Sequence, residues 1–415
     1  MAFPWERSSL WRQPLLPLLL LWATLVPAGG EPTKVFRPGS QLPGRRTRLR
    51  LMTTDLNSSL TFYSKVLGMR ILRHEEHTLP CKMTCNGPYN TNWSRTVVGY
   101  EPEVTNFALE LVYNYGVSNY SQGGALRAIA LRSTYPVERA LEIAAGLGYT
   151  QVWEDGGFQL LKENEFTVRA VGYKLESYGN KSWLLVGPDN YRYLLLPPAP
   201  AAENFDHIRF HVRDLRASVD FYARLLGMTQ YSEAAMEQGI YPLWVASRHA
   251  LIGYSPSGGG NASGVPLLLE QGPEEVPVRV YPWDGRQIIT LPYHKLRIVY
   301  TWIHHYQPWS LVHVLQYAPK EENSTLLSAV IKDPDGNEIM LAGAEIYDKE
   351  VQEATNFAEP DWELREEREM EASPVPDPPE EPMCELYTCP LTFPDPRPVL
   401  PPWHKWSEHP SEQVA

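Results

Sequence analysis

One phrase of apolar and polar positions occurs twice along the chain. TTDLNSSLTFYSKVLGMRIL starts at Thr53 and VRDLRASVDFYARLLGMTQY at Val212, and Asp55/Asp214, Leu56/Leu215, Ser59/Ser218, Tyr63/Tyr222, Leu67/Leu226, Gly68/Gly227 and Met69/Met228 keep a constant offset. A duplication explains this most economically. Each copy reads as strand, turn and helix: Asp55 or Asp214 caps a helix whose apolar positions recur near the helical period, and Gly68 or Gly227 ends it. The apolar stripe faces a core, so Tyr63 and Tyr222 are packing residues rather than chemical ones.

A second pair of segments follows the same logic. VGPDNYRYLLLP, from Val186, and KDPDGNEIMLAG, from Lys332, each fit a turn that runs into a strand. Each copy is too long for one strand–helix–strands unit, and each holds a further helical candidate, VERALEIAAGLGY in the first and WSLVHVLQY in the second. The pattern predicts an α+β fold of four βαβββ modules in two paired units with antiparallel sheets. The units span 46–197 and 203–345, with PPAPAAE as the linker between them.

Composition changes this picture mainly at the ends. The chain has 415 residues, is 43% hydrophobic and contains 23 Tyr and 13 Trp, enough for substantial cores. Its formal charge of −12 is concentrated in one place: residues 345–381 carry 14 Asp or Glu against 3 Lys or Arg. The remainder is near neutral, so no electrostatic footprint for nucleic acid is expected. Residues 346–415 read as an acidic, Pro-rich tail, a solvated spacer or a partner-binding segment.

At the other end, Arg7 and Arg12 precede an apolar run from Leu15 to Val26 and the small residues Ala28, Gly29 and Gly30. Residues 1–30 therefore read as a signal peptide. The run is too short and too interrupted by proline for a comfortable membrane anchor, and no later segment reads as transmembrane. Glycosylation acceptors at Asn57, Asn92, Asn119, Asn180, Asn261 and Asn323 agree with passage through the secretory pathway. The expected location is outside the cell or in the endoplasmic reticulum lumen. There, Cys81 with Cys85 and Cys384 with Cys389 would form two short-range disulfides, a zinc site built from all four being the alternative.

DLRASVDFYARLLGM and DPDGNEIML resemble the signatures of the vicinal oxygen chelate, or glyoxalase, superfamily, over about residues 46–345. LRHEE, CNGPYNTNWSRTVVGYEPE and LELVYNYGV resemble an animal branch of it that is cytosolic, so cellular context is not transferred to a chain with a signal peptide and sequons. The resemblance implies a tandem glyoxalase-like fold whose paired modules curl sheets into cups. It also implies a divalent metal held by His or Gln on a module's first strand and Glu on its last, completed by the equivalent pair from another module. Proton transfer beside a polarised carbonyl would follow, with a carboxylate as base.

The residues at those places are mostly unsuited to a metal. Module 1 has Arg48, a cation that cannot deprotonate to become a ligand, and the matching Glu110. Module 2 has Leu126 and Leu194. Module 3 has His207, with Leu269 or Glu270 depending on a one-residue register. Module 4 has Lys295, flanked by His294, and Met340, while Glu338 falls two residues nearer the turn as a solvated or structural carboxylate. The best surviving metal set is His207, Glu270 and His294, and it requires pairing within the second half. Otherwise His207 is a hydrogen-bonded interior histidine.

Other chemistry is sparse. WIHHYQPWSLVH, with His304, His305 and His313, matches no zinc spacing and reads as a loop leading into a helix, and SPSGGGNASG lacks the lysine of a phosphate loop. The expected function is a non-catalytic protein with no cofactor, taking a small molecule in a sheet cup or a protein partner. The alternatives are a metal-dependent lyase, isomerase or dioxygenase, and a metal-free enzyme with Glu110 as base, its pKa raised by burial.

Overall fold

The computed structural model describes residues 44–81, 83–132, 136–147, 170–174, 181–196, 204–231, 249–254, 265–271, 285–319, 325–353 and 360–375. Module 1 comprises β1 (Arg45–Thr53), α1 (Leu56–Thr61), β2 (Arg70–His77), β3 (Trp93–Gly99) and β4 (Ala108–Asn114). Module 2 comprises β5 (Leu126–Arg132), α2 (Val137–Gly146), β6 (Ala170–Lys174), β7 (Lys181–Val186) and β8 (Arg192–Leu196). Module 3 contains β9 (Phe205–Val212), α3 (Leu215–Asp220), β10 (Thr229–Gln230), β11 (His249–Gly253) and β12 (Leu267–Gln271). Module 4 contains β13 (Gln287–Leu291), α4 (Tyr293–Tyr306), β14 (Leu311–Pro319), β15 (Thr325–Lys332) and β16 (Glu338–Gly343). Two helices follow, α5 (Ala344–Glu353) and α6 (Trp362–Glu371).

The strands form two eight-stranded sheets, and the pairing is exchanged between the halves. Sheet A runs β14-β15-β16-β13-β1-β4-β3-β2 and joins module 4 to module 1. Sheet B runs β10-β11-β12-β9-β5-β8-β7-β6 and joins module 3 to module 2. First strands meet antiparallel at each centre, Arg48 opposite Ile288 and Ala130 opposite His207. The sheets are mixed rather than antiparallel, because the first and last strands of every module are parallel neighbours. The crossover within each module returns the chain in the starting direction.

The duplicated phrase folds as its pattern predicts. Asp55 accepts from the Ser58 amide at 2.9 Å and Asp214 from the Ala217 amide at 3.0 Å, so each caps its helix. Both helices then widen into a π turn, Phe62–Val66 and Phe221–Leu225, a feature the periodicity does not disclose. Gly68 and Gly227 have φ of 73° and 74°, a left-handed conformation that glycine adopts without steric penalty. Tyr63 and Tyr222 lie in the core: their hydroxyls meet Tyr193 Oη at 2.5 Å and Asp333 Oδ2 at 2.9 Å.

Two segments of module 4 differ from expectation. YHKLRIVY is the start of helix α4 rather than a strand, because Leu296, Val299 and Ile303 repeat at helical spacing and all are buried. WSLVHVLQY is not a helix: Pro308–Ser310 forms a short 3-10 turn and β14 follows. The order of helix and loop in WIHHYQPWSLVH is thus the reverse of that predicted. The helix predicted over VERALEIAAGLGY is present as α2.

KDPDGNEIMLAG acts as a strut between modules 3 and 4. Asp333 is buried and accepts from the amides of Asp335 and Asn337 and from the Tyr222 hydroxyl. Asp335 accepts from the Arg213 amide and the Ser218 hydroxyl. In the first half, Asp189 accepts from the Thr54 amide and hydroxyl in the same manner. Each half is therefore held together by its turn, while the sheets tie each half to the other.

Candidate functional site

Residues paired across strands share a face, so register alone identifies which side chains meet on the cup face of each sheet. Glu110 stands opposite Arg50, two residues beyond Arg48 on the parallel strand. The same step from His207 reaches Arg209, whose partner is Leu268. In module 2, Leu194 pairs with Ala130, so the first-strand position is Ala128 rather than Leu126. In module 4, Met340 pairs with Ile288, and the position two residues before is Arg286 rather than Lys295. Cup A, on sheet A, thus has Arg48, Glu110, Arg286 and Met340 at the four ligand places. Cup B, on sheet B, has Ala128, Leu194, His207 and Leu268.

The proposed set of His207, Glu270 and His294 is not brought together. His207 belongs to sheet B. His294 is exposed on α4, and that helix packs against β14 and β16 of sheet A. The exchanged pairing removes the within-half contact the set requires. Glu270 does face cup B, with Leu269 on the core side, but it pairs with His211. That is four residues along β9 from His207, a separation of about 13 Å.

Neither cup fits the family's metal. Such a site needs several O or N donors converging on one point, and each set of four offers one. Among the described residues, no group of three or more His, Cys, Asp or Glu could hold a metal ion. Glu110 has 0% exposure and gives one oxygen to Arg48 at 2.5 Å and the other to Arg50 at 2.6 Å. Burial alone would push its carboxyl up, but Arg50, Arg48 and Arg95 outweigh burial and hold it far below the usual carboxylate range. It is therefore too weak a base for the metal-free mechanism, and both its oxygens are occupied. His207 is 2% exposed, and its Nδ1 meets Asp206 Oδ1 at 2.6 Å, while Arg132 holds the other Asp206 oxygen.

Cup A is a closed electrostatic assembly. Arg48 also pairs with Glu103, Arg73 joins Glu103 to Glu75, and the Tyr347 hydroxyl of α5 donates to Glu103 at 2.6 Å. Arg286 pairs with Glu338, which is 5% exposed and thus structural rather than solvated. The segment between β2 and β3 lies over this face. It contains the Cys81–Cys85 disulfide and inserts Met83 among Ile288, Val330 and Met340. Arg286 donates to the Met83 carbonyl at 3.0 Å and to the Thr84 hydroxyl at 2.9 Å. Tyr89 packs with Met52 and Val112 farther along. The place where a cup ligand would sit is filled by the chain itself.

Cup B is different. Ala128, Ala130, Leu194 and Leu196 form an apolar floor. Glu270 accepts from Arg209 Nε at 2.9 Å, and His249 lies 3.7 Å from the same oxygen. Arg50, Arg286, Arg127 and Arg192 were missed by sequence reasoning. For the first, the signal was present: in RLRLMT, Arg48 and Arg50 alternate with leucines and so share one face.

Of the sequon asparagines, Asn57 and Asn119 are exposed. Asn92 is half-buried, and Ser94, the hydroxyl residue of its sequon, is buried beneath Arg365. Asn180, Asn261, Asn323, Cys384 and Cys389 lie outside the described residues, as does the predicted signal peptide. Among the described residues, no helix is long and apolar enough to cross a membrane.

Comparison with known proteins agrees with this architecture. The model of the Glyoxalase/Bleomycin resistance protein/Dioxygenase superfamily matches residues 45–179 and 204–341. Glyoxalase domain-containing protein 4 of Mus musculus is 27% identical over 287 residues, covering 69% of this chain and 80% of that protein. Glyoxalase 1 of Caenorhabditis elegans is 39% identical over 104 residues, 24% of this chain and 37% of that one. Among solved structures, glyoxalase I from Zea mays aligns with a TM-score of 0.55 at 20% identity, covering 76% of this chain and 98% of that one. The last likeness is one of fold.

Proposed function

The chain belongs to the Glyoxalase/Bleomycin resistance protein/Dioxygenase superfamily, and from that premise we propose that it is a secretory-pathway member that binds a ligand or protein partner instead of carrying out metal-centred catalysis. One observation carries this reading. The register places Arg48, Glu110, Arg286 and Met340 in one cup and Ala128, Leu194, His207 and Leu268 in the other. One donor per cup does not make a chelate, and in cup A two cations occupy ligand places.

The disulfide in the segment over cup A, the signal-like N-terminus and the sequons support an oxidising location. The test uses full-length protein recovered from a secreting cell line, with elemental analysis after dialysis. The expected result is no stoichiometric transition metal, together with absence of hemithioacetal isomerisation. About one tightly bound metal per chain, lost in His207→Ala, would overturn the proposal and restore a metal-dependent lyase, isomerase or dioxygenase.

A further inference from the structure

At the end of sheet B where β5 and β8 begin, the lining of a pocket of about 150 Å³ includes Gly124, Leu126, Arg127, Ile129 and Arg192. Among the described residues, no acidic one lines it. β5 has a register shift between Leu126 and Ala128, so Arg127 is the bulged residue. A bulge re-aims a side chain out of the regular alternation, and here it gives Arg127 to the pocket.

The charge at this end of the sheet is unbalanced. Arg192, Arg209 and Glu270 all lie within electrostatic reach of Arg127, and Glu270 is already held by Arg209 through Nε and Nη2, as Asp335 beside His211 is by Arg213. Arg127 makes its hydrogen bond to a ring nitrogen, Nδ1 of His211 at 3.1 Å, instead of to an acid. Burial lowers the Arg127 pKa and Arg192 lowers it further; burial followed by Arg127 does the same to His211. Glu270 opposes the shift at Arg127, and Asp335 and Glu270 oppose it at His211, but burial and the neighbouring guanidiniums outweigh them. Asp189 is next to the pocket in sequence, but its carboxylate is turned to Thr54.

We infer that this pocket binds a small organic carboxylate, with its charged end between Arg127 and Arg192 and a compact apolar body against Leu126 and Ile129. A guanidinium fork matches a carboxylate in shape as well as charge, and the apolar wall disfavours a bare inorganic anion. The volume leaves room for a ring or a short branched chain. The site is separate from the metal places, so it stands or falls independently of the function proposed above.

The experiment is calorimetric titration of the full-length protein with benzoate, phenylacetate and 4-methylpentanoate, using benzamide and sulfate as controls. At least one carboxylate should bind at about 1 mM or tighter while benzamide and sulfate do not. Arg192→Ala, at an exposed side chain, should weaken that binding at least tenfold, and Arg127→Gln likewise. Gly124→Val keeps every charge and places its Cβ in open space; it should weaken the bulkiest probe most. The inference is overturned if no carboxylate binds, if benzamide binds as well, or if both arginine variants retain full affinity. Metal content measured on the same sample separates this outcome from that of the proposed function.

Discussion

At Glu110 two roles compete for the same pair of oxygens, metal ligand and partner of Arg48 and Arg50, and in this chain the guanidiniums occupy both. Glu110→Gln should therefore leave any later-found activity intact while destabilising the fold by about 3–5 kcal/mol, the scale for breaking a buried ion pair on one side. Urea denaturation checks the second part and activity assay the first. The pH dependence has a definite sign. Glu110 has a depressed pKa, so its stabilisation is present above the ordinary 4.5 and is lost as pH falls below it. Asp333 has the opposite sign: burial, then Asp335, raise it from 3.8 to about 6, so stability falls as pH rises through that interval. Urea midpoints of Glu110→Gln against pH should show a shallower acid-side decline, the remainder coming from Glu103 and Glu76, whose carboxyls are also held low, and keep the other. An acid-side decline as steep as that of the unsubstituted protein would exclude Glu110 as a contributor.

At the level of elements, helices, turns and the duplicated core were readable because periodicity and capping are local. Leu296, Val299 and Ile303 also carried the helical signal of α4, but the expectation of a strand at YHKLRIVY overrode it. The register that separates Leu268 from Glu270 by two residues depends on pairing with β9, and the segment over cup A depends on contacts with β13, β15 and β16. No local pattern encodes those. The Cys81–Cys85 bridge closes only a short loop, so Cys81→Ser with Cys85→Ser should lower stability by about 2 kcal/mol from chain entropy. If the loop fills the cup as a packed element, hydrogen exchange should also rise in β13 and β16, where Met83 rests. Unchanged exchange there would mean that the loop's contacts hold it without the bridge.

On the scale of the molecule, sequence marked where the modules lie but not which of them pair, since both pairings satisfy the same hydrophobic pattern. Exchange means that neither half contains a complete sheet: each contributes four strands to A and four to B. Residues 44–196 or 204–345 expressed alone should associate with themselves or precipitate, whereas the two coexpressed should copurify as a one-to-one complex, measured by light scattering. A monomeric, stably folded single half would contradict the pairing. The chain then returns once more: Arg365 of α6 lies over Tyr113 and Tyr115, bonded to Glu76 and Ser94, and the Val375 amide reaches the Gly116 carbonyl at 2.9 Å. The acidic region predicted as a tail is anchored at its beginning.

The exchange of partners also bears on what substitution can change. Each repeat supplies half of both cups, so deleting either would open both sheets along their middle. A cup side chain can change one at a time without disturbing the pairing, whereas both repeats are kept in place by what their backbones contribute to the two sheets.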